Sequence, residues 1–271
     1  MAMGRRRAAT GGDIRVRWTA ILPILLGLLP AACSGLPPDL PAPVAGPPLL
    51  AAPQEFSVHG IDVSKYQGEI DWEAARQGGV AFAYIKATEG GDRIDPTFLA
   101  NWNGAAAAGI PRGAYHFWYF CRPAAEQMAW FKSQVPVDPK ALPPVLDMEW
   151  NPDSPTCRLR PPRDEVLREM RAALKELERH YGKRPVIYVS VDFHRDRLVD
   201  ELSDYPFWVR SVAGYPTLRY DRRKWTFWQY TGTGRVAGVT GEVDRNVFAG
   251  SPQDWKSWLA GKAHHRSIER H

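Results

Sequence analysis

Three cysteines in 271 residues are too few and too odd in number to staple a fold of this length. Neither Ser64 nor Ser190 sits in a G-x-S-x-G elbow, which removes the common hydrolase-triad arrangement. Gly232-Thr-Gly-Arg-Val-Ala237 fits a dinucleotide fingerprint, but Gly238-Val-Thr-Gly241 follows it where that motif needs a helix. The histidines of the polar end, His264, His265 and His271, lack regularly spaced partners, so no metal and no cofactor are expected. Charge of one sign is also scarce where it matters. The formal net charge is +5 and the pI near 9.1. Residues 1–33 carry Arg5, Arg6, Arg7, Arg15 and Arg17 against Asp13, a net of +4, which leaves +1 for the rest. A basic nucleic-acid binder is thereby disfavoured.

No apolar run spans a bilayer comfortably: the stretch Ala20–Leu29 has the length of a secretory signal core behind a basic end. Pro30-Ala-Ala-Cys33 follows and resembles a bacterial lipobox, in which the cysteine is acylated after cleavage. Cleavage without lipid at an Ala-x-Ala-like site is the alternative, and either route exports the protein. With Cys33 lipidated, Cys121 and Cys157 remain as a pair, each just beyond a strand end, and an oxidising compartment lets them join. Residues 34–55 are rich in proline and poor in charge, which describes a semi-extended linker. Residues 251–271 read as a polar C-terminal tail.

The whole chain has 11 tryptophans, and its body alternates apolar runs with helical stretches. Apolar β-rich runs recur at 57–62, 80–86, 113–118, 143–149, 185–190, 206–210, 225–230 and near 241–244. Helical stretches fit between them at 71–78, 96–108, 123–131, 164–181 and, more briefly, 193–199. Strands alternating with helices imply βαβ units around a parallel sheet. The gaps after the sixth and seventh strands are too short for full helices, and 56–250 is shorter than a regular (β/α)₈ barrel of roughly 250 residues. The expected fold is α/β, an irregular TIM-like barrel of eight short strands and about five helices, in preference to an open doubly wound sheet.

In such a barrel, reactive side chains gather where strands pass into βα loops. Asp62 closes the first strand, Asp147 and Glu149 the fourth, and Asp244 lies on the last. Asp147 and Glu149 are two apart and share a face, roughly 7 Å apart at the backbone. Two carboxylates on an apolar strand are costly to bury unless a basic partner such as Lys86 neutralises them or they have a use. Their mutual repulsion keeps a proton on one of them near neutral pH, as a general acid requires.

Six segments in register then carry a resemblance. Gly60-Ile-Asp-Val-Ser-Lys-Tyr-Gln-Gly-Glu-Ile-Asp-Trp72 resembles the opening signature of glycoside hydrolase family 25, the N-acetylmuramidases of lysozyme type. Ala83–Gly90, Arg112–Phe117, Pro143–Glu149, Pro185–Tyr188 and Trp225–Tyr230 leading to Val243–Phe248 are similar in order, so the resemblance covers 56–250. It implies cleavage with retention of the β-1,4 bond between N-acetylmuramic acid and N-acetylglucosamine in peptidoglycan. By the same resemblance Glu149 is the general acid and then the base. Asp147 assists the substrate's 2-acetamido group or is itself the nucleophile, and Asp62 and Asp244 complete an acidic floor. Tyr115, Phe117, Tyr188 and Trp228 occupy positions where the family lines its cleft, and Lys86 pairs with acids or binds a substrate oxygen. The family commonly has alanine where Phe207-Trp-Val-Arg-Ser211 has Arg210, which reshapes one wall of the cleft. Expected partners are peptidoglycan glycan strands and, through Cys33, a membrane, with no nucleic acid and the chain a monomer. Alternatives from other classes are a non-catalytic peptidoglycan-binding lipoprotein and a glycosidase of another amino-sugar polymer.

Overall fold

The computed structural model describes residues 51–261. The export segment, Cys33, the linker as far as residue 50 and His264, His265 and His271 lie outside the described residues. The apolar runs form β1 (His59–Val63), β2 (Phe82–Glu89), β4 (Arg112–Phe117), β5 (Val145–Met148), β6 (Val186–Val189), β7 (Phe207–Arg210), β8 (Phe227–Gly234) and β9 (Val243–Phe248). A two-residue β3 (Arg93–Ile94) hangs antiparallel on the end of β2. The other eight close on themselves in the order β1-β2-β4-β5-β6-β7-β8-β9, with β1 pairing both β2 and β9. Closure leaves no strand edge within the barrel. All neighbours are parallel except β9, which runs antiparallel to β8 and β1 because the eight residues between β8 and β9 are too few for a crossover.

Around the barrel lie α1 (Trp72–Gln77), α2 (Phe98–Ala107), α3 (Ala124–Gln134), α4 (Arg163–Tyr181), the single turn α5 (Val191–Phe193), which runs on as a π-helical stretch over His194–Leu198, and α6 (Pro216–Arg219). The longest, α4, has Asp164 and Glu165 in its first turn and Arg179 and His180 in its last, each favourable to the helix dipole, and ends at Gly182 with φ 66°. Its Val166, Met170, Ala173, Leu174 and Leu177 are buried. The βα face between β4 and α3 is held by a buried relay. Thr88 Oγ1 lies 2.7 Å from His116 Nδ1, and His116 Nε2 lies 3.0 Å from Gln127 Oε1. Burial drives the His116 pKa down to about 4, so the ring is neutral.

Side-chain alternation sorts every strand into two cores. Ile61, Val63, Ala83, Ile85, Leu146, Ile187, Val209, Trp228 and Val247 face the helices. Phe82, Tyr84, Val145, Val186, Tyr188, Trp208, Phe227 and Phe248 fill the barrel. Two inward glycines make that filling possible: a Cβ at Gly60 would stand 2.5 Å from the Phe82 ring and one at Gly113 2.3 Å from the Tyr84 ring. The segment expected to be a polar tail contains instead a further helix, α7 (Pro252–Leu259). Ser251 caps it by accepting from Asp254 N, and its buried Trp255 and Trp258 close the lower end of the barrel against Phe82, Phe227 and Phe248. The short polar spacing of Ser-Pro-Gln-Asp-Trp-Lys-Ser-Trp258 conceals that apolar face.

Candidate active site

At the opposite end, the carboxyl ends of the parallel strands, four acids converge. β1 and β9 are in register at Asp62 and Asp244, β5 carries Asp147, and Glu149 follows one residue past its end. Strand parity turns all four inward, above the aromatic filling.

Asp62 is buried and held by two amides. Its Oδ2 accepts from Gln229 Nε2 at 2.9 Å and Asn246 Nδ2 at 2.8 Å. Each amide is oriented in turn: Tyr188 donates its hydroxyl to Gln229 Oε1 at 2.9 Å, and Trp208 Nε1 donates to Asn246 Oδ1 at 2.8 Å. The Asp62 pKa stands well above its usual range because burial, and then the nearby Asp244 charge, disfavour ionisation. Asp147 is equally buried, and its Oδ1 meets no hydrogen-bond partner among the described residues. Its pKa also stands well above the carboxylate range, from burial first and the Glu149 charge second. Glu149, partly open to solvent, is pushed up to about 7 by burial, with the Arg210 guanidinium opposing. Asp244 is raised by burial, again opposed by Arg210. Adjacent acids that cannot all ionise retain a proton near neutrality, which equips Glu149 to donate one.

The structure places the other expected residues unequally. Tyr188 and Tyr115 face inward, Tyr188 beneath the acids and Tyr115 half-buried with its ring 6.5 Å from Trp208. Phe117 is half-buried with Lys86 Nζ 4.9 Å from its centroid. Lys86 pairs with Glu89 at 2.6 Å rather than with Asp147 or Glu149. Trp228 is a correction. It faces outward, packs on Phe56, Tyr215 and Trp225, and donates Nε1 to Ser211 O at 2.8 Å. Its neighbour Gln229 takes the inward position. Gln229, Asn246 and Trp208 were missed as supports of the site. The available signal was parity: Gln229 lies two residues beyond inward Phe227, and Asn246 two beyond Asp244. Cys121 and Cys157 are joined by a disulfide with Cα atoms 5.7 Å apart, tying the loops after β4 and β5.

Among the described residues no group of three or more His, Cys, Asp or Glu has the geometry of a metal site, and no helix is long and apolar enough to cross a membrane. The family model described as "Glycosyl hydrolases family 25" matches residues 61–239. Lysozyme M1 of Streptomyces globisporus is 40% identical over 209 residues, covering 72% of this chain and 68% of that protein. Among solved structures, a family 25 glycosyl hydrolase from Bacillus anthracis superposes with a TM-score of 0.70 at 35% identity, over 77% of this chain and 96% of that one. The bacterial lysozyme from Streptomyces coelicolor gives 0.67 at 34% identity, over 77% of this chain and 100% of that one.

Proposed function

The chain belongs to glycosyl hydrolase family 25, and from that premise we propose that it hydrolyses the β-1,4 bond between N-acetylmuramic acid and N-acetylglucosamine in peptidoglycan, with retention of configuration. The observation that carries the reading is the pairing, at the end of one strand in the mouth of the barrel, of Glu149, whose pKa burial raises to about 7, with a buried Asp147 whose Oδ1 has no partner. An unpaired buried acceptor costs free energy until a donor arrives, and the N–H of a substrate 2-acetamido group is such a donor.

Glu149 gives its proton to the leaving glycosidic oxygen. The acetamido carbonyl oxygen attacks the anomeric carbon from the opposite face, and the C–O bond breaks. Asp147, accepting from the acetamido N–H, orients that group and balances the positive charge of the cyclic oxazolinium ion. Glu149, now a carboxylate, takes a proton from water, which opens the ring at the anomeric carbon from the original face. Two inversions give net retention, a substrate-assisted route that dispenses with an enzyme nucleophile. Asp62 and Asp244 keep the floor acidic, and Tyr115 and Phe117 offer flat apolar faces to the C–H faces of the sugars.

Proton NMR of a digest in progress tests the stereochemistry: the new reducing end appears first as the β anomer. First appearance of the α anomer contradicts the proposed course.

Export, and anchoring through a lipid on Cys33, belong to the same reading. A Cys33→Ser chain expressed in a bacterium incorporates no labelled fatty acid, whereas the parent does; an unlabelled parent removes the anchor.

A further inference from the structure

A second constellation borders the catalytic pair. Asp147 is level with Tyr188, and Tyr188 with Trp208. Two residues further along, Glu149 and Ser190 follow the ends of β5 and β6 and Arg210 ends β7, so Arg210 stands two strands from Glu149, roughly 10 Å at the backbone. Its main chain is fixed, since Tyr220 donates its hydroxyl to Arg210 O at 2.6 Å and Arg210 pairs with Gln229 on β8. Above this rung the β7–β8 connection folds α6 back so that Arg219, its last residue, faces the same space. A cavity of about 270 Å³ results, lined by Ser190, Asp192, Arg195, Arg210, Val212 and Arg219 among others.

Three guanidinium groups line this cavity, and they are not equally occupied. Arg195 pairs with Asp196 at 3.1 Å. Asp192 Oδ1 is engaged by the Ser190 hydroxyl at 2.6 Å. Among the described residues Arg210 and Arg219 are exposed and stand in no ion pair, although Arg210 lies close enough to oppose the raised pKa values of Glu149 and Asp244. Two guanidinium groups outside any ion pair on the lining of one cavity can take an anion, since a planar fork is suited to a carboxylate.

We propose that Arg210 and Arg219 form a subsite for a free carboxylate carried by the muramoyl residue whose bond is cleaved. The proposal rests on the reading above. A muramoyl sugar seated at Glu149 brings its O3 lactyl substituent within about one sugar width of the carboxylic acid. That substituent ends in a free carboxylate where the peptide has been removed, and in peptide carboxylates where it remains. A polymer of N-acetylglucosamine alone has neither, so the subsite would also discriminate against it.

The test uses soluble glycan strands in three forms: peptide-bearing, stripped to the free lactyl carboxylate, and stripped with that carboxylate converted to its methylamide. Kinetics are measured for the parent chain, Arg210→Ala and Arg219→Ala. The parent prefers a carboxylate-bearing form over the methylamide by roughly tenfold in kcat/KM, mostly through KM. Each substitution reduces that preference to under about twofold, and whichever of the first two forms is favoured identifies the lactyl or the peptide carboxylate as the source. Arg210→Ala also moves the alkaline limb of the pH profile upward, whereas Arg219→Ala leaves it in place. Equal kcat/KM on the carboxylates and the methylamide, or a preference that survives both substitutions, overturns the subsite. Equilibrium binding of the same strands to Glu149→Gln reads the preference without turnover. Preferential carboxylate binding by this variant, with no cleavage of any form by the parent chain, would sink the proposed activity and leave the subsite standing; equal binding would sink the subsite alone.

Discussion

Glu149 and Asp147 occupy one strand face and share one electrostatic problem. Burial raises both pKa values, and Glu149 reaches about 7 from an ordinary 4.5. A folded pKa raised above the unfolded one means that folding takes up protons. The protonated carboxyl is tolerated below about pH 4.5, and the cost of its charge appears as pH rises through about 7. Glu149→Gln therefore stabilises the chain at pH 8 and leaves it unchanged near pH 4. Because Glu149 is partly open to solvent, the gain is about 1–2 kcal/mol rather than the full value of such a shift. Thermal melts at the two pH values measure it; an equal effect at both would show that the pKa is not raised. The same variant loses hydrolysis by at least about a thousandfold, the loss of a general acid, while its far-ultraviolet circular dichroism is unchanged. For the parent, kcat/KM falls above about pH 7 as the coupled acids lose their proton. An activity still flat at pH 9 would contradict that assignment.

At the scale of elements, period-two alternation explains both what was legible and what was not. The eight barrel strands were readable because each is a short apolar run between glycine, proline or polar residues, and the acids because they interrupt such runs. Trp228 was misread because aromatic content does not say which face of a strand a ring occupies. Parity does, and it gives the inward place to Gln229. The supports of Asp62 come from four strands, β6 to β9, and they reach it because closure sets β1 beside β9. The helix α7 was hidden because two tryptophans in a polar octapeptide make a weak periodic signal, and their burial depends on the aromatic floor already being in place. Trp258→Ala opens a cavity at that floor and costs about 3–5 kcal/mol, read by denaturant unfolding with the m-value unchanged. A loss under 1 kcal/mol would show that α7 does not seal the barrel.

At the scale of the molecule, the disulfide and the charge distribution set the working conditions. The Cys121–Cys157 bridge closes a loop across 36 positions that includes α3 and β5, the strand that carries Asp147 and leads to Glu149. Replacing both cysteines by serine removes a constraint worth about 3–4 kcal/mol on the unfolded chain and lowers Tm by roughly 10 °C. A scanning calorimeter reads the change directly, and an unchanged Tm would show that the bridge contributes nothing. The net charge of +5 lies almost wholly in residues 1–33, so the body has no bulk attraction for an anionic wall. On the proposed function, recognition then rests on the cleft: an acidic floor, two half-buried rings and the proposed arginine subsite. Every part of that arrangement turns on which glycosidic bond lies against Glu149. The most direct measurement is identification of the new reducing ends, by borohydride reduction and mass spectrometry, after the chain digests purified peptidoglycan. Reduced N-acetylmuramic acid is the predicted product; reduced N-acetylglucosamine, or no new reducing end, would contradict the account.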